Sequence, residues 1–498
     1  MDIVRDAAFF ALVPRSTAAA EIVRTNKKYR KPVDGTYSLV FSIGHESVNP
    51  DHLVNFGSHP TKSDVVLEEE FASPQFYFTL TDTGELMLHD STRWPATTLE
   101  WTDSDGKIDD KYSLQGELRR RVIPRAPGQQ VRIYVGQTVS FRFAWILSTN
   151  ADKHRWELEK IALRQPDYGW QRGGVAVSLS SIEPRTPNTP VVPERLKHKP
   201  AIQYHTYKSL GSGSFGSVSK VVDLATGDVF AVKVCRPPEL VDADETWKEN
   251  IRKEVEILGM IEHANIIRLC HHQGWVVGKP VELFFRPHAG SVVDLVPRPE
   301  ERRWKPTTIA PWALTLIQEM AEALAYVHGE GIIHRDVKTD NILYDYCRDG
   351  SKTFYLSDFG HAQLADNQTD QSGGAVAYMA PEASRYNTYR RASDMYSFGI
   401  VVLEVLGYYD AAEGLIGYST DSWREKLKRF GVRDYASYHD TTFLHAHVSM
   451  AQIMHSRVKS LVDYGVLSPE VSSLLDHDAD QRLSANRAIY VLNADTLL

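Results

Sequence analysis

Between Ser181 and Pro200 the chain reads SIEPRTPNTPVVPERLKHKP, a stretch with five prolines and mixed charge. Proline fixes its own backbone angle and removes a donor, so neither a helix nor a strand ladder runs through such a segment. It reads as an extended linker that divides a chain of 498 residues into separately folded parts. The expected layout is a first domain over residues 8–180, a linker over 181–203 and a second domain over 204–498.

Composition narrows the classes of function. Apolar residues make up 42% of the chain, enough to fill real cores. Lysine and arginine number 56 against 64 acidic residues, and a net charge of −8 is mild for this size and argues against a wholesale nucleic-acid binder, so no direct nucleic-acid partner is expected. Cys235, Cys270 and Cys347 lie far apart with no CxxC spacing, which fits a reducing compartment and speaks against structural zinc. No apolar run reaches the roughly 18–20 residues of a membrane span. The opening MDIVRDAAFFALVPRS, with Asp2 and Asp6, reads as a first strand rather than a signal peptide. The expectation is an intracellular protein, in nucleus or cytoplasm, and Lys27, Lys28, Arg30 and Lys31 read as a solvated loop before a nuclear signal.

Residues 8–180 carry short runs of β-branched and aromatic residues: YSLVFSI (37–43), FYFTL (76–80), VRIYV (131–135) and VSFRFAWI (139–146). Turn pairs such as Thr83-Gly84, Asp105-Gly106 and Pro127-Gly128 stand between them, which predicts an all-β sandwich. TDSDGKID (102–109) has the look of a calcium loop. With Gly106 at the sixth position, however, Trp101 and Tyr112 fall where oxygen ligands are required, so it reads as a hairpin turn.

From Tyr204 onward strand-like runs come first and helical patterns follow, which predicts a small sheet lobe feeding a helical one. Gly211, Gly213 and Gly216 lie between two strand-like runs, with Val218 opening the second. Glycines let a backbone approach phosphates and point bare N–H groups at them. The strand that follows excludes a dinucleotide fold, which needs a helix there. Lys233 lies inside the apolar run VFAVKV and, if it points inward, needs an anion. The next helical pattern places Ile251, Val255 and Leu258 on one face with Glu254 beside them as a counter-charge. His334-Arg-Asp-Val-Lys-Thr-Asp-Asn341 then gathers Asp336, Lys338 and Asn341 in one short loop, and Asp358-Phe359-Gly360 follows an apolar strand. Phosphoryl transfer needs a carboxylate for the attacking hydroxyl, a cation on the developing charge and oxygen ligands for Mg²⁺, and these residue types supply all three.

Taken in this order, with Ala380-Pro381-Glu382, Asp394 and Arg482 further on, the motifs resemble the eukaryotic protein-kinase family, from about Tyr204 to the C-terminus. The resemblance implies a bilobal α+β fold and ATP and Mg²⁺ as substrate and cofactor. It implies Asp336 as catalytic base, Lys338 at the transferred phosphoryl group, and Asn341 and Asp358 as magnesium ligands. Lys233 would grip the ATP phosphates, held by Glu254, under Gly211, Gly213, Gly216 and Val218. His334 would pack rather than react, Asp394 would brace the loop, Arg482 would pair with Glu382, and ELFFRPHAG (282–290) would form the hinge that meets adenine, with Phe284 near the gatekeeper position. Lys338 is the serine/threonine pattern, while Ala375 stands where that class often has a threonine. Arg335 implies a switch by phosphorylation, with Thr369 or Ser372 as the site, and Thr186-Pro187 and Thr189-Pro190 read as plain linker before phosphosites. A dead catalytic domain acting as a scaffold is the competing reading, and the complete residue set speaks against it.

In the first domain Phe56-Gly57, Ser63-Asp64-Val65-Val66-Leu67, Ser73, Gly84, Leu88-His89-Asp90-Ser91 and GQTVSFRF (137–144) resemble a forkhead-associated domain, a phosphothreonine-binding β-sandwich. The implied partner is a phosphoprotein. Ser58 stands where that family has a phosphate-binding arginine, only Ser73 remains of a second contact set, and Arg93 lies near the expected asparagine turn, so the pocket reads as altered.

Overall fold

β1 (Ala8–Pro14) is so apolar that Phe9, Phe10, Ala11 and Leu12 have no exposed surface. In the computed structural model it lies inside a sandwich. The structure describes residues 8–42, 45–81, 84–92, 97–102, 108–114, 119–124, 130–146, 201–213, 216–237, 244–276, 278–296, 310–347, 349–365, 375–386, 388–410, 414–415, 451–452, 454–456 and 458–492. The described residues form two compact units. One joins the N-terminal residues with 200–212 and 218–232, and the other holds 213–217 and the residues from 233 on.

The sandwich strands are β1, β2 (Arg30–Val33), β3 (Thr36–Ser42), β4 (Val54–Gly57), β5 (Val65–Val66), β6 (Phe76–Leu80), β7 (Leu86–Asp90), β8 (Thr97–Thr102), β9 (Ile108–Ser113), β10 (Arg120–Val122), β11 (Gln130–Val135) and β12 (Val139–Trp145). Seven run in the order β2-β3-β1-β12-β11-β8-β9 and five in the order β10-β7-β6-β4-β5. β1 pairs antiparallel with β12, Leu12 opposite Phe143, and β6 with β7, Phe78 opposite Leu88. Phenylalanines from both sheets fill the core: Phe10 lies on Phe143 at 5.2 Å and Phe56 on Phe76 at 4.3 Å between ring centroids. Offset stacks of this kind add to the area they bury.

The domain is not wholly β. Thr17–Thr25 forms a helix capped by Ser16, whose hydroxyl accepts from the Ala19 N–H at 3.2 Å. Its Ala19, Ile22 and Val23 join the core, and Asn26 at its end exchanges two hydrogen bonds with Val66 of the other sheet. The Ser-Thr start and the i, i+3, i+4 apolar spacing carry this helix in the sequence.

In the C-terminal part β13 (Tyr204–Gly213), β14 (Gly216–Asp223), β15 (Val229–Cys235), β16 (Leu269–Gln273) and β17 (Val281–Phe285) form a sheet of order β13-β14-β15-β17-β16. Gln203, placed in the linker by composition, already accepts a hydrogen bond from Leu224. Helix Asp244–Met260 carries the expected stripe, with Ile251, Val255 and Leu258 buried. Helices Pro311–Gly329 and Arg391–Val405 form the helical part. The second is buried continuously from Ser393 to Val405, as a helix packed on all sides must be. Among the described residues no helix is long and apolar enough to cross a membrane.

Candidate active site

Lys233 projects from β15 with 8% of its surface exposed. A buried ammonium needs counter-charge, and two carboxylates supply it. Its Nζ donates to Glu254 at 2.8 and 3.1 Å and to Asp358 Oδ1 at 2.9 Å. Burial opposes the lysine charge, but Glu254 and then Asp358 overcome it and hold the pKa above the ordinary lysine value. Burial pushes the Glu254 carboxyl up while Lys233 pulls it back. On Asp358 burial also works upward, yet Lys233 prevails and its pKa falls below the usual carboxylate range. Gly360 lies against this cluster: a Cβ there would sit 3.3 Å from Asp358 Oδ1 and 3.5 Å from Lys233 Nζ. Asp358 itself is left-handed, φ 58°, a strained setting for a residue with a side chain.

Phe359 is fully buried and stands edge-on to His334 at 4.7 Å. His334 has no exposed surface, its Nε2 lies 2.9 Å from the Ser357 carbonyl, and its role in the fold is packing. Asp394 accepts the N–H groups of His334 and Arg335 at 2.8 Å each and lies 2.9 Å from His328 Nε2. Burial would raise its carboxyl, but His328 leads the groups that hold it below the usual range. These bonds hold Arg335 at φ 70°, which turns the chain so that Asp336 faces the next residues of the loop.

Three donors converge on the Asp336 carboxylate. Lys338 Nζ reaches Oδ2 at 2.7 Å, Asn341 Nδ2 reaches the same oxygen at 2.8 Å, and the Ala375 N–H reaches Oδ1 at 3.0 Å. The missing threonine hydroxyl at 375 is thus met by a backbone donor. Asn341 also donates to the Asp336 carbonyl at 2.8 Å, and its own carbonyl accepts from both the N–H and the hydroxyl of Ser357. Its amide oxygen is outside these bonds, as is Asp358 Oδ2. Two hard oxygens are the protein's share of a magnesium site completed by phosphates, so the residues fit the ion. Among the described residues no group of three or more His, Cys, Asp or Glu could hold a metal by itself.

Gly216 has φ 134°, and a Cβ there would lie 2.1 Å from the Val234 carbonyl, so only glycine fits the turn into β14. Gly211 ends in open space, Gly213 closes β13, and Val218 is half-buried on β14. Phe284 is fully buried near the end of β17. Arg482 donates to both oxygens of Glu382, at 2.7 and 3.1 Å. Thr369, Ser372, Arg93 and the two linker threonines lie outside the described residues.

Other contacts are absent from any motif. Thr339 and Tyr378 both bond Glu404 Oε2, at 3.0 and 2.7 Å, all three buried behind the loop. Burial pushes the Tyr378 hydroxyl far up from its ordinary value. Arg335 lies 4.1 Å over the ring of Tyr389 and donates to Gln363 at 2.9 Å.

A loop that presents one carboxylate to a lysine, an asparagine and a main-chain N–H, beside a lysine held by two more carboxylates, brings together the residue types that phosphoryl transfer needs. The model of the protein kinase domain matches residues 204–489, more than half of the chain, and the chain belongs to that family. The family uses ATP and Mg²⁺. An Aurora kinase of Yarrowia lipolytica is 34% identical over 200 residues, 40% of this chain and 50% of that protein. Serine/threonine-protein kinase 1 of Arabidopsis thaliana is 32% identical over 228 residues, 44% of this chain and 24% of that one. Serine/threonine-protein kinase fray2 of Dictyostelium discoideum is 30% identical over 224 residues, 44% and 20% of the two chains. The chain spans half or less of the length of these relatives.

Proposed function

We propose that this chain is an ATP-dependent protein kinase that phosphorylates serine and threonine hydroxyls of protein substrates. The observation that carries the reading is the convergence of Lys338, Asn341 and the Ala375 N–H on Asp336. Asp336 would accept the proton of the attacking hydroxyl, and Lys338 would steady the transferred phosphoryl group. Lys233, held by Glu254, would grip the α and β phosphates under the backbone of Gly211, Gly213 and Gly216, with Val218 beside the base. Asn341 and Asp358 would hold Mg²⁺, which when bound neutralises phosphate charge. Lys338, two residues after Asp336, and the serine/threonine kinases among the relatives support serine/threonine specificity. The test is phosphate incorporation from Mg-ATP by wild type and Asp358→Ala; equal incorporation refutes the assignment.

The reading extends to the sandwich and to place. The N-terminal sandwich would be a forkhead-associated-like module that meets protein partners, in an intracellular protein. Its support is the two-sheet architecture and the packing of Gly57, where a Cβ would sit 2.8 Å from Ser63 Oγ and 3.0 Å from the Ala72 carbonyl. Ser73 Oγ accepts the His59 N–H at 3.3 Å. Ser58 brings no charge to this corner, so a phosphothreonine ligand would bind weakly; tight binding by a phosphothreonine-peptide library would overturn that. Arg335, lying on Tyr389, would answer to phosphate on Thr369 or Ser372, and mass spectrometry of active protein with both unmodified would sink that idea.

A further inference from the structure

β10 is the edge strand of the five-stranded sheet: one side pairs with β7, Val122 opposite Met87. An open edge is a row of unmet donors and acceptors. Here the other side is met within the same compact unit, because the Val122 N–H donates to the Leu224 carbonyl at 2.9 Å. Leu224 belongs to the turn between β14 and β15, and its own N–H donates to the Gln203 carbonyl at 2.8 Å. The Gln203 side chain in turn accepts from Arg121 at 2.9 Å. Arg121 is 2% exposed and lies on the ring of Tyr112 at 4.2 Å. A guanidinium buried so deeply needs such partners. Tyr207 of β13 donates its hydroxyl to Glu85. Met87, Val122 and Val222 are buried against one another, with Tyr207, Leu224 and Val229 packed around them. Gly227, φ 82°, closes the joint: a Cβ there would lie 2.4 Å from Thr81 Cγ2 and 3.1 Å from Met87 Cε.

Domains that merely share a chain meet through polar, mobile surfaces. This joint has a backbone hydrogen bond, a buried arginine, an apolar centre and a glycine with no space for a side chain. We propose that the β7–β10 edge of the sandwich is a fixed brace on the β14–β15 hairpin, so that the sandwich sets the posture of the strands that bind nucleotide. The lever is covalent. β14 starts at Gly216 and β15 carries Lys233, so the hairpin whose turn is braced holds a glycine of the loop at one end and the phosphate lysine at the other. The kinetic consequence rests on the proposed kinase reading; the brace itself does not.

The test uses the full chain and hydrogen exchange, together with KM for ATP and kcat on a peptide substrate. Met87→Lys puts a charge between Val122 and Val222. Tyr207→Phe removes a single hydroxyl and serves where Met87→Lys fails to fold. Ile133→Ala, in the sandwich core away from the hairpin, is the control. Exchange over 218–232 is expected to quicken at least tenfold in Met87→Lys and about threefold in Tyr207→Phe. KM for ATP should rise by similar factors with kcat within twofold. Ile133→Ala should lower the melting temperature and leave KM alone. Unchanged exchange over 218–232 in both joint variants, with 131–143 still protected, overturns the brace. Faster exchange with unchanged KM overturns its influence on nucleotide binding. A wild type with no phosphotransfer at all refutes the kinase reading instead, and exchange then decides the brace alone.

Discussion

Glu254→Gln keeps the shape of the side chain and removes its charge, which isolates what the carboxylate does for Lys233. The two side chains are 11% and 5% exposed and meet at 2.8 Å. At an effective dielectric near 20 their gross attraction is about 6 kcal/mol. Much of it is recovered in the variant: the amide oxygen still accepts one hydrogen bond, and Asp358 remains 2.9 Å from Nζ. The remaining loss is about 2–3 kcal/mol, between that of one charge-assisted hydrogen bond and that of a broken buried pair. Placed on the transition state, this lowers kcat/KM about 30- to 160-fold. There is a second effect. Lys233 then has one carboxylate in place of two, and its charge is drawn wholly to Asp358, the proposed magnesium ligand, so the Mg²⁺ requirement rises. Initial rates against Mg-ATP and against free Mg²⁺, with urea denaturation alongside, measure all of this. A kcat/KM within threefold of wild type, in protein shown to be folded, would mean that the Lys233–Glu254 contact does not serve phosphoryl transfer.

Arg482→Met should cost about 3–5 kcal/mol of unfolding free energy, because it strands Glu382 without its partner in a site where Arg482 has no exposed side-chain surface; denaturant midpoints check it. Thr339→Val, isosteric but without the hydroxyl, should lower kcat severalfold at unchanged KM for ATP, with Thr339→Ser restoring it, since Thr339 lies between Lys338 and Asn341 and ties them to Glu404. His89, pushed down to about 4 by burial and then by Arg120, stays neutral in the fold while the unfolded chain takes up a proton near pH 6.5. Its contribution is therefore complete above pH 6.5 and lost as pH falls toward 4, by up to about 3 kcal/mol. In His89→Phe the stability lost between pH 7.5 and 4.5 should shrink by about that amount, and urea melts at the two pH values read it.

Legibility followed the range of the interactions. Lys233 and Glu254 were readable because each is a charge set against a local apolar pattern, one in a strand and one beside a helical stripe. The loop from His334 to Asn341 was readable because its chemistry is contiguous. The helix at Thr17–Thr25 escaped a reading tuned to strands, although its Ser16 cap and apolar spacing are local signals. The Asp34-Gly35 turn between β2 and β3, with φ of 49° and 77°, is a hairpin signal of the same local kind. What no local pattern holds is a contact made across the chain. The Ala375 N–H on Asp336, Tyr389 under Arg335, Glu404 behind Thr339, and Leu224 on the outer edge of β10 join residues far apart in sequence. Three of these four use a main-chain group or an ordinary-looking side chain, and such groups carry no mark of their partner.

The donor at Ala375 has a consequence for how this chain tolerates change over generations. A hydroxyl donor is lost with the first substitution that removes it, so a family relying on one is held to a narrow alphabet at that position. Here the N–H that meets Asp336 Oδ1 belongs to the backbone. Every residue type except proline supplies the same N–H. The side chain at 375 is therefore released from the service of the carboxylate and is open to drift, or to selection for some other task.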